Sequence, residues 1–193
     1  MPIAEPKRVI VALTGASGAI YGVRTLELLQ SQPNIEIHLV MTPPARTTLE
    51  IETDWSSGQL EELAHHVHSS RDIGAPISSG SFRTSGMIIA PCSIKTLSAV
   101  ANCFTSELVS RAADVTLKER RPLVLMVRET PFHVGHLRLM TQAAEMGAVV
   151  APPVPAFYTK PQSIDDIVNH SVGRSLEHLG IETPDLQRWA GRA

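Results

Sequence analysis

Gly15-Ala16-Ser17-Gly18-Ala19-Ile20-Tyr21-Gly22 sets small residues and one hydroxyl ahead of a stretch with helical spacing. A turn of this kind opens a helix whose free amides and positive dipole end can hold a phosphate. A plain tight turn would carry the same residues. The glycine spacing is not the GxGxxG of dinucleotide folds, and no Gly-Lys-Ser/Thr follows, so nicotinamide and nucleoside triphosphate ligands are disfavoured. Pro91-Cys92-Ser93-Ile94-Lys95-Thr96 puts a proline stop and hydroxyls at another helix start. It suits a second anion- or carbonyl-binding turn, or Ser93 acting as a simple cap. Thr42, ahead of Pro43, offers a hydroxyl to a ligand or caps a helix.

Arg128-Glu129 supplies a cation and a carboxylate side by side, the best acid/base candidate in the chain. Enclosure raises a carboxyl pKa toward neutrality, while an adjacent guanidinium lowers it and binds phosphate oxygens; a structural ion pair is the plainer alternative. Arg111 and Lys118 are seven residues apart in a helical stretch and share a face, where they could hold a phosphate leaving group. The Glu107/Arg111 and Asp114/Lys118 spacings also fit ordinary i,i+4 ion pairs on a solvated face. Tyr158 follows the stiff run Pro152-Pro153-Val154-Pro155 and is aimed over a cleft or packed in a core. Glu50, Glu52 and Asp54 alternate, as an extended segment with carboxylates on one side or as a solvated loop. Cys92 has no base partner evident in the sequence and reads as packing. His65, His66 and His68 lack convergent partners in sequence, so a polar helix face is expected and no metal.

These residues need a scaffold that gathers loops. Val9–Thr14, Ile35–Met41, Met87–Ala90, Leu123–Val127 and Ala148–Ala151 are five short apolar runs, each suited to a strand buried on both faces. Helical patterns lie between them. The alternation predicts right-handed βαβ units in a doubly wound parallel sheet with helices on both faces, a three-layer α/β/α arrangement. In such sheets ligands bind beyond the carboxyl ends of the strands, where the strand order reverses. The polar stretch 54–85 reads as an insertion with a helix-like segment over Leu60–His68.

Composition makes a small-molecule partner the better default. The 193 residues suit one domain, with 43% hydrophobic but only 4% aromatic residues, so the core must be aliphatic. A net charge of −2 with interspersed signs argues against nucleic acid or an anionic membrane as partner. Two cysteines without a pairing pattern fit a cytoplasmic protein, and no apolar run reaches the length of a membrane span.

Taken in order, Thr14-Gly15-Ala16-Ser17-Gly18-Ala19, Glu52-Thr53, Ser79-Gly80-Ser81-Phe82, Pro91-Cys92-Ser93, Arg111-Ala112-Ala113-Asp114-Val115, Arg128-Glu129 and Pro155-Ala156-Phe157-Tyr158 resemble the flavin prenyltransferase family, the UbiX and Pad-type proteins. The likeness runs from Val9 to about Trp189. It implies a flavodoxin-like, Rossmann-like fold, with one FMN-binding domain over 1–180 and a tail over 181–193 closing on the site. It also implies transfer of a dimethylallyl group from dimethylallyl monophosphate to N5 of reduced FMN, followed by ring closure at C6. The product, prenylated FMN, would serve a partner decarboxylase acting on aromatic acids in ubiquinone synthesis or phenolic acid breakdown. The resemblance further implies a homododecamer.

Carried over by position, Gly15, Ala16, Ser17, Thr42, Ser93, Ile94, Lys95, Thr96 and Arg128 would contact FMN. Arg111, Lys118, Glu129, Tyr158, Arg174 and Trp189 would surround the prenyl donor. Ser17, Glu52, Lys118 and Glu129 would carry the chemistry. Asn102-Cys103-Phe104-Thr105-Ser106-Glu107 departs from the family, where a glycine and an asparagine or aspartate are frequent. Two other readings share the fold: a non-catalytic flavin carrier, and a flavin-dependent cysteine-type decarboxylase. The latter group uses a Pro-x-Met-Asn motif that this sequence lacks.

Overall fold

A computed structural model describes residues 6–183 and 186–191. Six parallel strands form one sheet: β1 (Lys7–Leu13), β2 (Ile35–Met41), β3 (His66–Ser69), β4 (Gly86–Cys92), β5 (Leu123–Val127) and β6 (Val149–Val150). Their order is β3-β2-β1-β4-β5-β6, so the chain winds outward from β1, then crosses back to β4 and winds the other way. The reversal lies between β1 and β4, and the loops after these strands flank the crevice where ligands bind in such folds.

Seven helices connect the strands: α1 (Ala19–Gln30), α2 (Pro43–Glu52), α3 (Ser57–Glu62), α4 (Ile94–Ala101), α5 (Leu108–Lys118), α6 (Val134–Glu145) and α7 (Ile164–Glu177). Single turns of 3-10 helix occur at Pro76–Ser78 and Phe157–Thr159. Side chains alternate across β1 because strand periodicity is two. Val9, Val11 and Leu13 pack with Val23, Leu26 and Leu29 of α1 and Val168, Val172 and Leu176 of α7. Ile10 and Ala12 pack on the other face with Leu97 of α4, Val109 and Ala112 of α5 and Ala143 of α6. Both layers are aliphatic, as the scarcity of aromatic residues requires.

β2 and β5 begin and end where the sequence places them. Ala148–Ala151 shortens to two residues, and the third apolar run extends through Pro91 and Cys92. The expected count of five strands is one too few. The 54–85 segment is not simply an insertion, because it contributes β3 at the sheet edge, and the expected helix over Leu60–His68 ends at Glu62. Glu50 and Glu52 belong to the last turn of α2, so they point to different faces and not to one side of an extended segment.

Candidate functional site

Thr14 ties the two loops that flank the crevice. Its hydroxyl donates to the Pro91 carbonyl at 2.8 Å and accepts the Ser93 amide at 2.8 Å. The Arg128 amide donates to the Cys92 carbonyl at 3.0 Å, which holds the end of β5 beside them. Gly15 can pass close to α2 only without a side chain, because a Cβ there would lie 2.4 Å from the Pro44 Cβ.

Glu52, at the far end of α2, reaches the start of α1. Its Oε2 accepts the Gly18 amide at 2.7 Å and the Ala19 amide at 2.9 Å. The two amides that the sequence offers to a phosphate are therefore held by a carboxylate of the same chain. Burial pushes the Glu52 carboxyl up, but the Ser17 hydroxyl, the Ala19 and Gly18 amides and the Arg128 charge together hold it below the ordinary carboxylate range. Tyr21 shares this neighbourhood: burial raises its phenol pKa, and Arg128 opposes the rise. Ser17, Glu52, Tyr21 and Arg128 thus converge on the reversal point.

The start of α4 is different. Ser93 caps it, its Oγ accepting the Thr96 amide at 3.3 Å and lying 3.1 Å from the Thr96 Oγ1. Ile94 and Lys95 occupy the first two helical positions, where no intrahelical acceptor exists, and among the described residues their amides have no partner. Two free amides at a positive helix end, beside two hydroxyls, make a donor set fitted to the phosphate of FMN. The Lys95 ammonium turns elsewhere, to Glu107 at 2.6 Å. Thr42 is the cap of α2, its Oγ1 accepting the Ala45 amide at 3.4 Å, and is buried.

The expected i,i+4 pairs on α5 do not form. Glu107 is taken by Lys95, Arg111 pairs with Asp114 at 3.0 Å, and Lys118 pairs with Glu119 at 2.5 Å. Arg111 and Lys118 do face one place. The Arg111 Nε donates to the Ser78 carbonyl at 3.2 Å, and a Cβ on Gly80 would lie 2.7 Å from the Lys118 Nζ. Both cations border the 78–80 turn, a neighbour that helix spacing alone could not name.

Glu129 accepts the Thr130 amide at 2.9 Å, and among the described residues neither it nor Arg128 enters an ion pair. Tyr158 is exposed, not a core residue: its hydroxyl lies 3.0 Å from the His170 Nε2, and its ring meets Trp189 edge-on at 5.8 Å. Arg174 pairs with Glu177, which Arg188 also holds. Among the described residues no hydrogen bond or ion pair joins the crevice group, the α5 cations and the Tyr158–Trp189–Arg174 group. Cys92 is fully buried and burial pushes its thiol up to about 12, which removes it as a nucleophile.

The chain matches the Flavoprotein family model over residues 3–176. It is 60% identical to the flavin prenyltransferase UbiX of Escherichia coli, over 96% of this chain and 99% of the relative. It is 58% identical to the flavin prenyltransferase UbiX of Thauera aromatica, over 95% of this chain and 94% of the relative. Among solved structures it superposes with a TM-score of 0.94 and 48% identity on AnUbiX (PadA1), crystallised with FMN and dimethylallyl pyrophosphate, covering 98% of this chain and 100% of that one. It superposes with a TM-score of 0.93 and 49% identity on a dodecameric FMN-dependent UbiX-like decarboxylase from Escherichia coli, covering 95% and 100%. Likeness of this extent, over a crevice with the donor set described, leads to one statement: this chain belongs to the flavin prenyltransferase family.

Proposed function

We propose that the chain transfers a dimethylallyl group from dimethylallyl monophosphate to reduced FMN, at N5 and then C6, and releases prenylated FMN for a decarboxylase of aromatic acids. The observation that carries this reading is the unequal pair of helix starts: Glu52 fills the first, and the second keeps two amides free beside Ser93 and Thr96. In this reading Ser93, Ile94, Lys95 and Thr96, with Thr42 and Arg128, hold the FMN phosphate, while Gly15, Ala16 and Ser17 border the flavin. Reduced FMN, when bound, supplies a nucleophilic nitrogen and a neighbouring ring carbon.

The residues of the chain do the rest. Arg111, Lys118, Tyr158 and Arg174 take the donor's phosphate, and preorganised cations in a dry cleft stabilise the charge that builds as the allylic C–O bond breaks. Arg111 is already fixed by Ser78 and Asp114. Glu129 exchanges a proton with a phosphate oxygen, and Glu52 receives one by way of the Ser17 hydroxyl. Trp189, on the 181–193 tail, covers the pocket from beside Tyr158. The three groups that lie apart within one chain are completed across neighbouring copies in a dodecamer. We place the chain in the cytoplasm, where free thiols such as Cys92 and Cys103 persist; no helix among the described residues is long and apolar enough to cross a membrane.

The decisive assay incubates the protein anaerobically with reduced FMN and dimethylallyl monophosphate and follows the mass of the flavin. A flavin heavier by one five-carbon unit is expected. Running dimethylallyl pyrophosphate in parallel tests the choice of donor, with the monophosphate expected to react faster. Tight FMN binding with no adduct from either donor would overturn the transferase reading in favour of a flavin carrier.

A further inference from the structure

Parallel pairing of β2 and β3 sets His38 opposite His66 and Val40 opposite His68. Glu36 lies two residues before His38 and so on the same face of β2. Three histidines and a carboxylate, from the neighbouring strands β2 and β3, thereby meet at the edge of the sheet. The crevice lies between β1 and β4, inward from this edge. Glu36 Oε1 is 3.0 Å from His38 Nε2 and 3.2 Å from His66 Nε2, and the three donor atoms all lie within 4.8 Å of one another.

We propose that Glu36 Oε1, His38 Nε2 and His66 Nε2 form a binding site for a divalent transition-metal ion of the zinc class. Zinc bonds to nitrogen and carboxylate oxygen at about 2.0–2.2 Å, and tetrahedral angles then put neighbouring ligand atoms about 3.3–3.5 Å apart. The two spacings to Glu36 Oε1 fall short by only a few tenths of an ångström, so small side-chain rotations admit the ion. Two imidazoles and one carboxylate select a borderline ion over calcium or magnesium, which prefer all-oxygen shells.

The surroundings fit the assignment. A ligating histidine usually anchors its second nitrogen, and His38 Nδ1 lies 3.0 Å from His68 Nε2. His38 is buried and the Phe82 ring packs edge-on against it at 5.2 Å. His66 is half exposed and leaves a path for the ion. Arg8, with Nε 3.3 Å from Glu36 Oε1 and its guanidinium over Phe82, competes for the carboxylate and lowers the affinity. Three protein ligands leave a fourth position for water. A bound ion would clamp the four-residue edge strand β3 onto β2.

The site stands apart from prenyl transfer and is tested without it. The full chain, free of any tag and stripped with chelator, is titrated with zinc against a chromophoric competitor, and thermal unfolding is followed with and without the ion. One zinc per chain and a raised unfolding midpoint are expected. His66→Ala should weaken binding by at least about 100-fold, and His68→Ala, which removes the partner of the second nitrogen of His38, by about 10–100-fold. The adjacent pair His133 and His136, with ring centroids 3.6 Å apart, is the rival chelate, so His133→Ala/His136→Ala should bind zinc as the unaltered chain does. To separate lost ligation from a perturbed β3, far-UV circular dichroism is recorded for each variant, and His66→Asn is examined with cobalt, whose tetrahedral visible absorption should vanish in the variant. The assignment is overturned by any of three results: no saturable zinc binding, wild-type affinity in folded His66→Ala, or loss of binding in the His133/His136 variant.

Discussion

Glu129 holds one backbone amide and, among the described residues, enters no ion pair, so its carboxylate remains available for proton exchange. Glu129→Gln preserves size and that hydrogen bond but cannot carry the proton. FMN should bind as before and the rate of prenyl transfer should fall at least tenfold, about 1.4 kcal/mol of barrier, as measured by single-turnover formation of the adduct. Unchanged turnover would remove Glu129 from the mechanism. Glu52 makes a different prediction. Its carboxyl is held below the ordinary value of 4.5 in the folded chain, so the unfolded chain takes up the proton first as acid is added. The stability that Glu52 contributes is complete above pH 4.5 and is lost as pH falls through its lowered folded value. Glu52→Gln should therefore be less stable than the parent at neutral pH, with the gap in urea midpoint closing in acid. A gap that does not change with pH would mean that the carboxylate charge contributes nothing at the start of α1.

At the scale of elements, the turn after α4 carries a strained backbone position. Cys103 has φ 52, the left-handed region that favours glycine. A non-glycine residue there costs about 1–2 kcal/mol, partly offset because glycine has more freedom to lose on folding. Cys103→Gly should raise stability by about 0.5–1 kcal/mol, read from the denaturant midpoint at constant slope. No change would place the strain elsewhere in the turn. The same scale shows what was legible in the sequence. Ile35–Met41 and Leu123–Val127 were readable to the residue, because an apolar run bounded by turn residues has few other uses in a buried sheet. β3 was not, because His66-Val67-His68-Ser69 is a short edge strand with one apolar residue and is stabilised by its pairing with β2, not by its own pattern. The convergence of Glu36, His38 and His66 was hidden for the same reason, since it exists only in that register. Thr42 and Ser93 were legible as caps because capping is local. That Glu52 fills the start of α1 depends on where α2 ends after β1 and β2 have paired, which no local spacing records.

At the scale of the molecule, Ile51, Phe104, Val154, Phe157, Ile164 and Trp189 expose large apolar area, the kind of surface that an assembly covers. We expect a solution mass near twelve times 20.9 kDa, by light scattering. Arg111 and Tyr158 belong to groups that no hydrogen bond or ion pair joins among the described residues, so a site completed across copies can be repaired by mixing. Arg111→Ala and Tyr158→Phe chains, each nearly inactive, should regain activity when co-assembled in equal amounts, because about a quarter of the sites then hold both native groups. Absence of recovery in verified mixed assemblies would put both residues in one chain's pocket. The carboxylate of Glu52 has one more consequence at this scale. It makes the two ends of the crevice unequal toward phosphate: one end is already neutralised from within and the other is open. A flavin with a single phosphate therefore has one way round to enter, and the face and edge it offers to the prenyl donor are decided before the donor arrives.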